Sequence, residues 1–261
     1  MGKLRLGLLG TGFLSGIVAD AWKNGLLEDY ELVGVMGRNR TTAAALAEKM
    51  GCASCGSVEE LLALKPDYIA EAASVELVKD SAVRILSSGC SLIVVSIGAF
   101  ADAAFYEKVK HTASENGTKV YIASGAVGGF DVLRTVSLMG PVTAGITTRK
   151  GPKSLEGTPL FEDTLMLEEE ERQVFAGNAK EAIALLPTRV NVAVASSLAT
   201  AGPENTRVNI FSVPGMVGDD HCIVAETEGI RAVVDIYSST SAIAGWSVVA
   251  VLQNIVSPIV F

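Results

Sequence analysis

The segment Leu9-Gly10-Thr11-Gly12-Phe13-Leu14-Ser15-Gly16 places glycines where a chain can turn sharply and meet a phosphate. An apolar run (4–9) precedes it, and a stretch with helical spacing (13–27) follows. Gly10 permits the turn and Gly12 lets the backbone approach a pyrophosphate. The helix then presents free N–H groups and the positive end of its dipole. The third Gly of a G-x-G-x-x-G pattern is replaced by Ser15, which is small enough for close packing of helix on strand. These residues predict dinucleotide binding through Gly10, Thr11, Gly12, Phe13 and Leu14. The next strand-like run (31–36) leads into Gly37-Arg38-Asn39-Arg40. Gly37 stands where an NAD site carries its carboxylate for the ribose 2′-hydroxyl, and Arg38 and Arg40 suit a 2′-phosphate. NADP is therefore expected ahead of NAD.

The chain has only two histidines. His111 lies among polar neighbours on a predicted helix and reads as a surface residue. His221 closes Gly218-Asp219-Asp220-His221, just before an apolar run. Two adjacent carboxylates stabilise an imidazolium and would poise it near neutral pH for general acid–base work, although a solvated loop His fits the same position. Lys153, in Lys150-Gly-Pro-Lys-Ser154, could hold a substrate carboxylate. Gly125, Gly128 and Gly129 suggest close approach of backbone to a ligand. Cys52 and Cys55 form a C-x-x-C without further ligands nearby, so no metal site is expected. The acidic run 168–171 reads as a solvated face.

These groups need a frame. Strands are predicted at 4–9, 31–36, 67–73, 92–97 and 119–123, with helices at 13–27, 41–50, 75–88 and 102–116 between them. Ser57-Val-Glu-Glu60 has capping-box spacing. Such alternation predicts a Rossmann-type, doubly wound parallel sheet over residues 1–123. Residues 124–241 change character, with strands at 142–150, 207–213, 222–227 and 230–237 and helices at 178–186 and 190–201. They predict an α+β domain with a mostly antiparallel sheet. A last helix, 242–255, opens the C-terminal segment 242–261, which should pack back on the core.

With 49% hydrophobic residues the chain can fill a core, and a net charge of −8 without a basic run excludes nucleic acid as a partner. Four cysteines point to a reducing, cytoplasmic compartment rather than a disulfide scaffold. Glycines interrupt the apolar N-terminal run. The charge-free segment 236–261 contains four consecutive Ser/Thr residues, Gln253, Asn254 and Pro258, so it reads as a buried or interface helix rather than a membrane span.

Together the motifs resemble the L-aspartate dehydrogenase family over the whole chain. Glu71-Ala-Ala73, Gly98-Ala-Phe-Ala-Asp102, Ser124-Gly-Ala-Val-Gly-Gly-Phe-Asp131, Lys150 through Leu155, Leu186 through Ala193 and Pro214 through His221 stand in the family order. The resemblance implies that Ala126 and Asn191 border the nicotinamide. It also implies that His221, seven residues after Pro214, is catalytic; the family's Asn two residues before the His is Asp219 here, and the flanking Asp219 or Asp220 is expected to tune the ring. The family's N-P-K-T-S appears as Tyr237-Ser-Ser-Thr-Ser241, which keeps Thr240 and Ser241 but not the Lys. Lys153, Thr240 and Ser241 are then the candidate substrate-carboxylate contacts. The implied activity is an NAD(P)-dependent, reversible oxidative deamination of L-aspartate through iminoaspartate, with the imine feeding NAD biosynthesis through quinolinate synthase. A homodimer is implied, with catalysis and dimerisation in residues 124–241. Alternatives are a related NADP-dependent oxidoreductase or imine reductase on another small amino or hydroxy acid, and a non-catalytic NADP-binding protein.

Overall fold

The computed structural model describes residues 2–261. They form two compact units, one running to Gly125 and including Ala242–Phe261, the other spanning Ala126–Ser241.

The first unit alternates strand and helix: β1 (Leu4–Leu9), α1 (Phe13–Lys23), β2 (Tyr30–Met36), α2 (Arg40–Met50), β3 (Ala53–Cys55), α3 (Val58–Ala63), β4 (Tyr68–Glu71), α4 (Val75–Ser87), β5 (Ser91–Val94), α5 (Ala103–Glu115) and β6 (Val120–Ile122). The strands pair in parallel in the order β3-β2-β1-β4-β5-β6. That is the doubly wound order, and it reverses direction between β1 and β4. Asn39, Ser57, Ser74 and Asp102 cap the N-termini of α2 to α5, each accepting backbone N–H bonds.

Several boundaries differ from the sequence expectation, each for a local reason. The helix expected to reach residue 27 stops at Lys23, because Asn24 and Gly25 form a turn with Gly25 at φ +82°. The strand expected to reach residue 97 ends at Val94, because Glu71 captures the backbone N–H groups of Val95 and Ser96. Glu60 does not close a reciprocal capping box: its carboxylate takes the N–H of Gly56 instead of Ser57. The unforeseen β3 has only three residues, too few for a visible alternation.

The core beneath β1 and β2 is built from Leu6, Leu8, Val18, Ala19, Tyr30 and Leu32, with Val248 and Leu252 from the C-terminal segment. Those last two belong to α9 (Ala242–Val256). Gly245 lets this helix approach α1 closely, since a Cβ there would come 2.8 Å from Ile17. The Tyr30 hydroxyl donates to the carbonyl of Leu252 at 2.7 Å. Among the described residues no helix is long and apolar enough to cross a membrane.

The second unit contains α6 (Phe130–Met139), β7 (Thr143–Lys150), β8 (Arg172–Asn178), α7 (Ala179–Leu185), α8 (Asn191–Leu198), β9 (Thr206–Ser212), β10 (Asp219–Thr227) and β11 (Ile230–Ser238). Its sheet runs β11-β10-β7-β9-β8, and only β7 and β9 pair in parallel. Helix α6 and strand β8 add to the elements that the sequence predicts. Three glycines mask the start of α6, and β8 is polar at both ends and has no buried residue to mark an alternation. β7 alternates cleanly, with Ala144, Ile146, Thr148 and Lys150 buried and the residues between them half-buried. That alternation defines an inner and an outer face.

Candidate functional site

In the first unit, the turn after β1 sits beside the point where the strand order reverses, the usual ligand crevice of such sheets. Gly10 has φ +117°, and a Cβ there would collide with the carbonyl oxygen of Ala72. Only Gly therefore allows the loops after β1 and β4 to meet. Gly12 has open space where its Cβ would be, and it caps α1 without any side-chain hydrogen bond. The first turn of α1 carries no acid. Its N–H groups and dipole are thus left for an anion. Phe13 is exposed and Leu14 half-buried at the entrance. Ser15, in the third-Gly position, is 1% exposed, and among the described residues its Oγ is the buried side-chain polar atom without a hydrogen-bond partner. These features fit a dinucleotide phosphate.

A Cβ at Gly37 would fall 2.5 Å from Thr11 Oγ1, and Thr11 is itself held by Thr42 at 2.9 Å. Thr11 therefore fills the place where a carboxylate for a ribose 2′-hydroxyl would stand. Arg38 is exposed beside this point; the Glu76 carboxyl is lowered chiefly by its own backbone N–H and by Ser74, with a smaller contribution from Arg38. Arg40 diverges from it and lies over Gly56.

Glu71, at the end of β4, is fully buried. It accepts hydrogen bonds from Ala73 N at 2.7 Å, Ser96 Oγ at 2.7 Å, Ser96 N at 3.0 Å and Val95 N at 3.3 Å. Burial pushes its carboxyl upward while these four donors oppose the shift. The residue ties the loop after β4 to the loop after β5. The sequence pattern alone gave Glu71 no role of this kind.

In the second unit, pairing register brings the ionisable groups together. Thr148 faces His221 across β7 and β10, and Lys150 faces Asp219 one row further along the same inner face. His221 is 2% exposed, and its Nδ1 lies 2.9 Å from Thr148 Oγ1. Lys150 Nζ lies 3.3 Å from Asp219 Oδ1. The Lys150 side chain is 6% exposed, the Asp219 side chain 36%.

This arrangement corrects two expectations. His221 is inside β10 rather than before it, and its imidazole is not raised by flanking acids. Burial pulls it down to about 4, Lys150 adds to the effect, and Asp219 only partly opposes it. Asp220 points to the other face, where burial and Asp235 raise its carboxyl. Of the two candidate tuning acids, Asp219 alone shares the face of His221. Strand alternation would have separated the two, had the start of β10 been evident.

The other expected site residues are spread through the second unit. Ala126 is half-buried at its start, and Asn191 is half-buried as the first residue of α8. Lys153 is exposed on a 3-10 turn, Pro152–Leu155, and Lys150 rather than Lys153 joins His221. Thr240 and Ser241 are exposed just beyond Ser238, which pairs with Asp219 across β11. His111 is exposed beside Glu115. The thiols of Cys52 and Cys90 are pushed by burial to about 11 and about 12, and the described residues contain no cluster suited to a metal ion.

A family profile described as the homoserine dehydrogenase NAD-binding domain matches residues 6–123. One described as aspartate dehydrogenase, C-terminal, matches residues 131–255. L-aspartate dehydrogenases of Methanosarcina mazei and Methanococcus maripaludis are each 31% identical to this chain over 98% of both lengths. In fold, the chain is similar to a crystal structure of aspartate dehydrogenase from Thermotoga maritima, with TM-score 0.78, 24% identity and 99% of each chain covered. It is less similar to a biliverdin reductase from Synechocystis, with TM-score 0.57 and 14% identity over 99% of this chain and 92% of that one.

Proposed function

The chain belongs to the L-aspartate dehydrogenase family, and from that premise we propose that it oxidises L-aspartate through iminoaspartate to oxaloacetate and ammonia, reversibly and with NADP preferred over NAD. It is an oxidoreductase with a nicotinamide-cofactor-binding unit. The observation that carries the reading is a buried imidazole on the row next to a buried ammonium, on one face of the second sheet.

A nicotinamide cofactor, when bound, supplies the hydride acceptor for the substrate Cα. Gly10, Gly12 and the free N–H groups of α1 would hold its pyrophosphate, and Arg38 its 2′-phosphate. Ala126 and Asn191 are candidate cofactor contacts from their own unit.

His221 does the proton work. With Nδ1–H donating to Thr148, Nε2 keeps its lone pair, and burial keeps the ring neutral at pH 7. It is a base without first having to lose a proton. It takes the proton that the substrate amine sheds as the C=N bond forms. It releases that proton to solvent, takes another from the water that adds to the imine carbon and passes it to the nitrogen, and then relays the carbinolamine hydroxyl proton to the nitrogen as ammonia departs. The balance is one water consumed, with ammonia, oxaloacetate, one hydride to the cofactor and one proton released. Asp219 stabilises the transient imidazolium.

The outer face of the second sheet carries half-buried Val224 and exposed Val233 and Tyr237. The same face also carries Arg149, Arg207, Asp220 and Asp235, so it is mixed rather than apolar, and the working unit is read as a homodimer on the family resemblance, to be tested by light scattering.

The direct test is oxidation of NADPH and NADH with oxaloacetate plus ammonium, with aspartate oxidation run in reverse. Saturable turnover, faster with NADPH, is expected. NADPH binding without turnover of any amino acid would favour a non-catalytic binding protein.

A further inference from the structure

Lys150 is the only lysine or arginine among the buried residues described. Burying an ammonium costs several kcal/mol unless it is paired and its other protons find acceptors. An ammonium offers three donors. Among the described residues Asp219 is the single partner of Nζ, and that carboxylate leans toward solvent, with 36% of its side chain exposed. The pair is a weak source of stability for the burial it requires. Its backbone is nonetheless held firmly. The carbonyl of Lys150 accepts the N–H of Val213 at 2.9 Å, and Gly151 packs so tightly on the carbonyl of Met216 that no side chain fits there. The amine is thus fixed one row from the His221 ring, with donor capacity left over.

The geometry points to Lys150 as the residue that binds a carboxylate of the substrate beside His221, with Asp219 as its resting partner. This rests on the amino acid dehydrogenase reading for the choice of ligand, though not for the site itself. A planar, singly charged carboxylate suits a lone amine already half neutralised by Asp219. A phosphate would need more positive charge than the inner face offers.

The test is equilibrium binding of L-malate and L-lactate, hydroxy analogues of aspartate and alanine, to the cofactor-saturated protein. Lys150→Met should weaken the better-bound analogue ten- to hundred-fold, the range expected for loss of a charge-assisted hydrogen bond, while cofactor affinity stays within about two-fold. Asp219→Asn should act in the opposite sense, tightening binding several-fold because the competing carboxylate is gone. That second variant decides the matter if Lys150→Met does not fold. Unchanged binding in Lys150→Met, no tightening in Asp219→Asn, or no binding of either analogue by the unaltered protein overturns the proposal. Failure of the aspartate reading has a different signature: no turnover of aspartate, while analogue binding remains dependent on Lys150.

Discussion

Thr148 Oγ1 and His221 Nδ1 lie 2.9 Å apart on directly paired positions of β7 and β10, and both residues are almost fully buried. The hydroxyl can fix the imidazole in one orientation and one tautomer, which a base needs before its other nitrogen can be useful. Thr148→Val keeps the shape and removes the oxygen. It should lower kcat about ten- to hundred-fold, the usual range for a positioned acid–base contribution, with little change in KM. Thr148→Ser should recover most of the loss. Equal activity in the Val and Ser variants would mean the hydroxyl does not position the ring.

The protonation of His221 gives a second expectation. Its imidazole is pulled down to about 4 in the native state, whereas an unfolded His titrates near ~6.5. Between these values the unfolded chain binds the extra proton, so stability falls as pH falls. The contribution is complete above about 6.5 and lost as pH drops through about 4. The loss is on the order of 3 kcal/mol. Thermal melts from pH 7.5 to 4 should therefore show the parent protein losing stability relative to His221→Gln. Parallel curves would show that the native imidazole is not depressed.

Much of the first unit was legible because its signals are local. The Gly10–Gly12 turn, the Ser57 cap and the alternation of apolar runs each act within a few residues. The reactive cluster of the second unit was only half legible. His221 stood out as one of two histidines, but its partners come from pairing register, which a sequence does not display. A shift of one residue would put Arg149 rather than Lys150 on the inner face. Lys153, the lysine that the motif offers as a carboxylate contact, is on the exposed turn Pro152–Leu155. The flanking acids do not raise the ring as their adjacency suggests. Adjacency along a strand puts neighbours on opposite faces, and burial outweighs the one acid that remains.

The cofactor preference yields a third expectation. Arg38→Ala should weaken NADPH about ten- to hundred-fold, as befits loss of a charge-assisted contact, and leave NADH nearly unchanged. Gly37→Asp alone should not create an NADH site, because its side chain would meet Thr11 Oγ1, only 2.5 Å from the nearest Cβ position. Gly37→Asp with Thr11→Gly should tighten NADH binding. Nicotinamide fluorescence titrations of the three variants with both cofactors decide this. Equal losses for NADPH and NADH in Arg38→Ala would remove the 2′-phosphate role.

Glu71 gives the last expectation, for the frame rather than the chemistry. Its Oε1 accepts from Ala73 N and Ser96 Oγ, and its Oε2 accepts from Val95 N and Ser96 N. Every partner donates, and each oxygen faces at least one backbone N–H. Glu71→Gln therefore cannot satisfy the site in either amide orientation, since its own N–H₂ must point at a donor. Each buried donor left without an acceptor costs about 1–3 kcal/mol. For a protein of this size that should lower Tm by roughly 2–10 °C. Glu71→Ala strands the N–H groups of Ala73 and Ser96 and the Ser96 hydroxyl, while Val95 N keeps its bond to the Glu71 carbonyl, and it should be worse still. The loops after β4 and β5 flank the phosphate turn, so both variants should also weaken cofactor binding, in proportion to their loss of stability. A Glu71→Gln protein with the parent's Tm would show that the carboxyl is protonated and donating, and that the four contacts do not require a carboxylate.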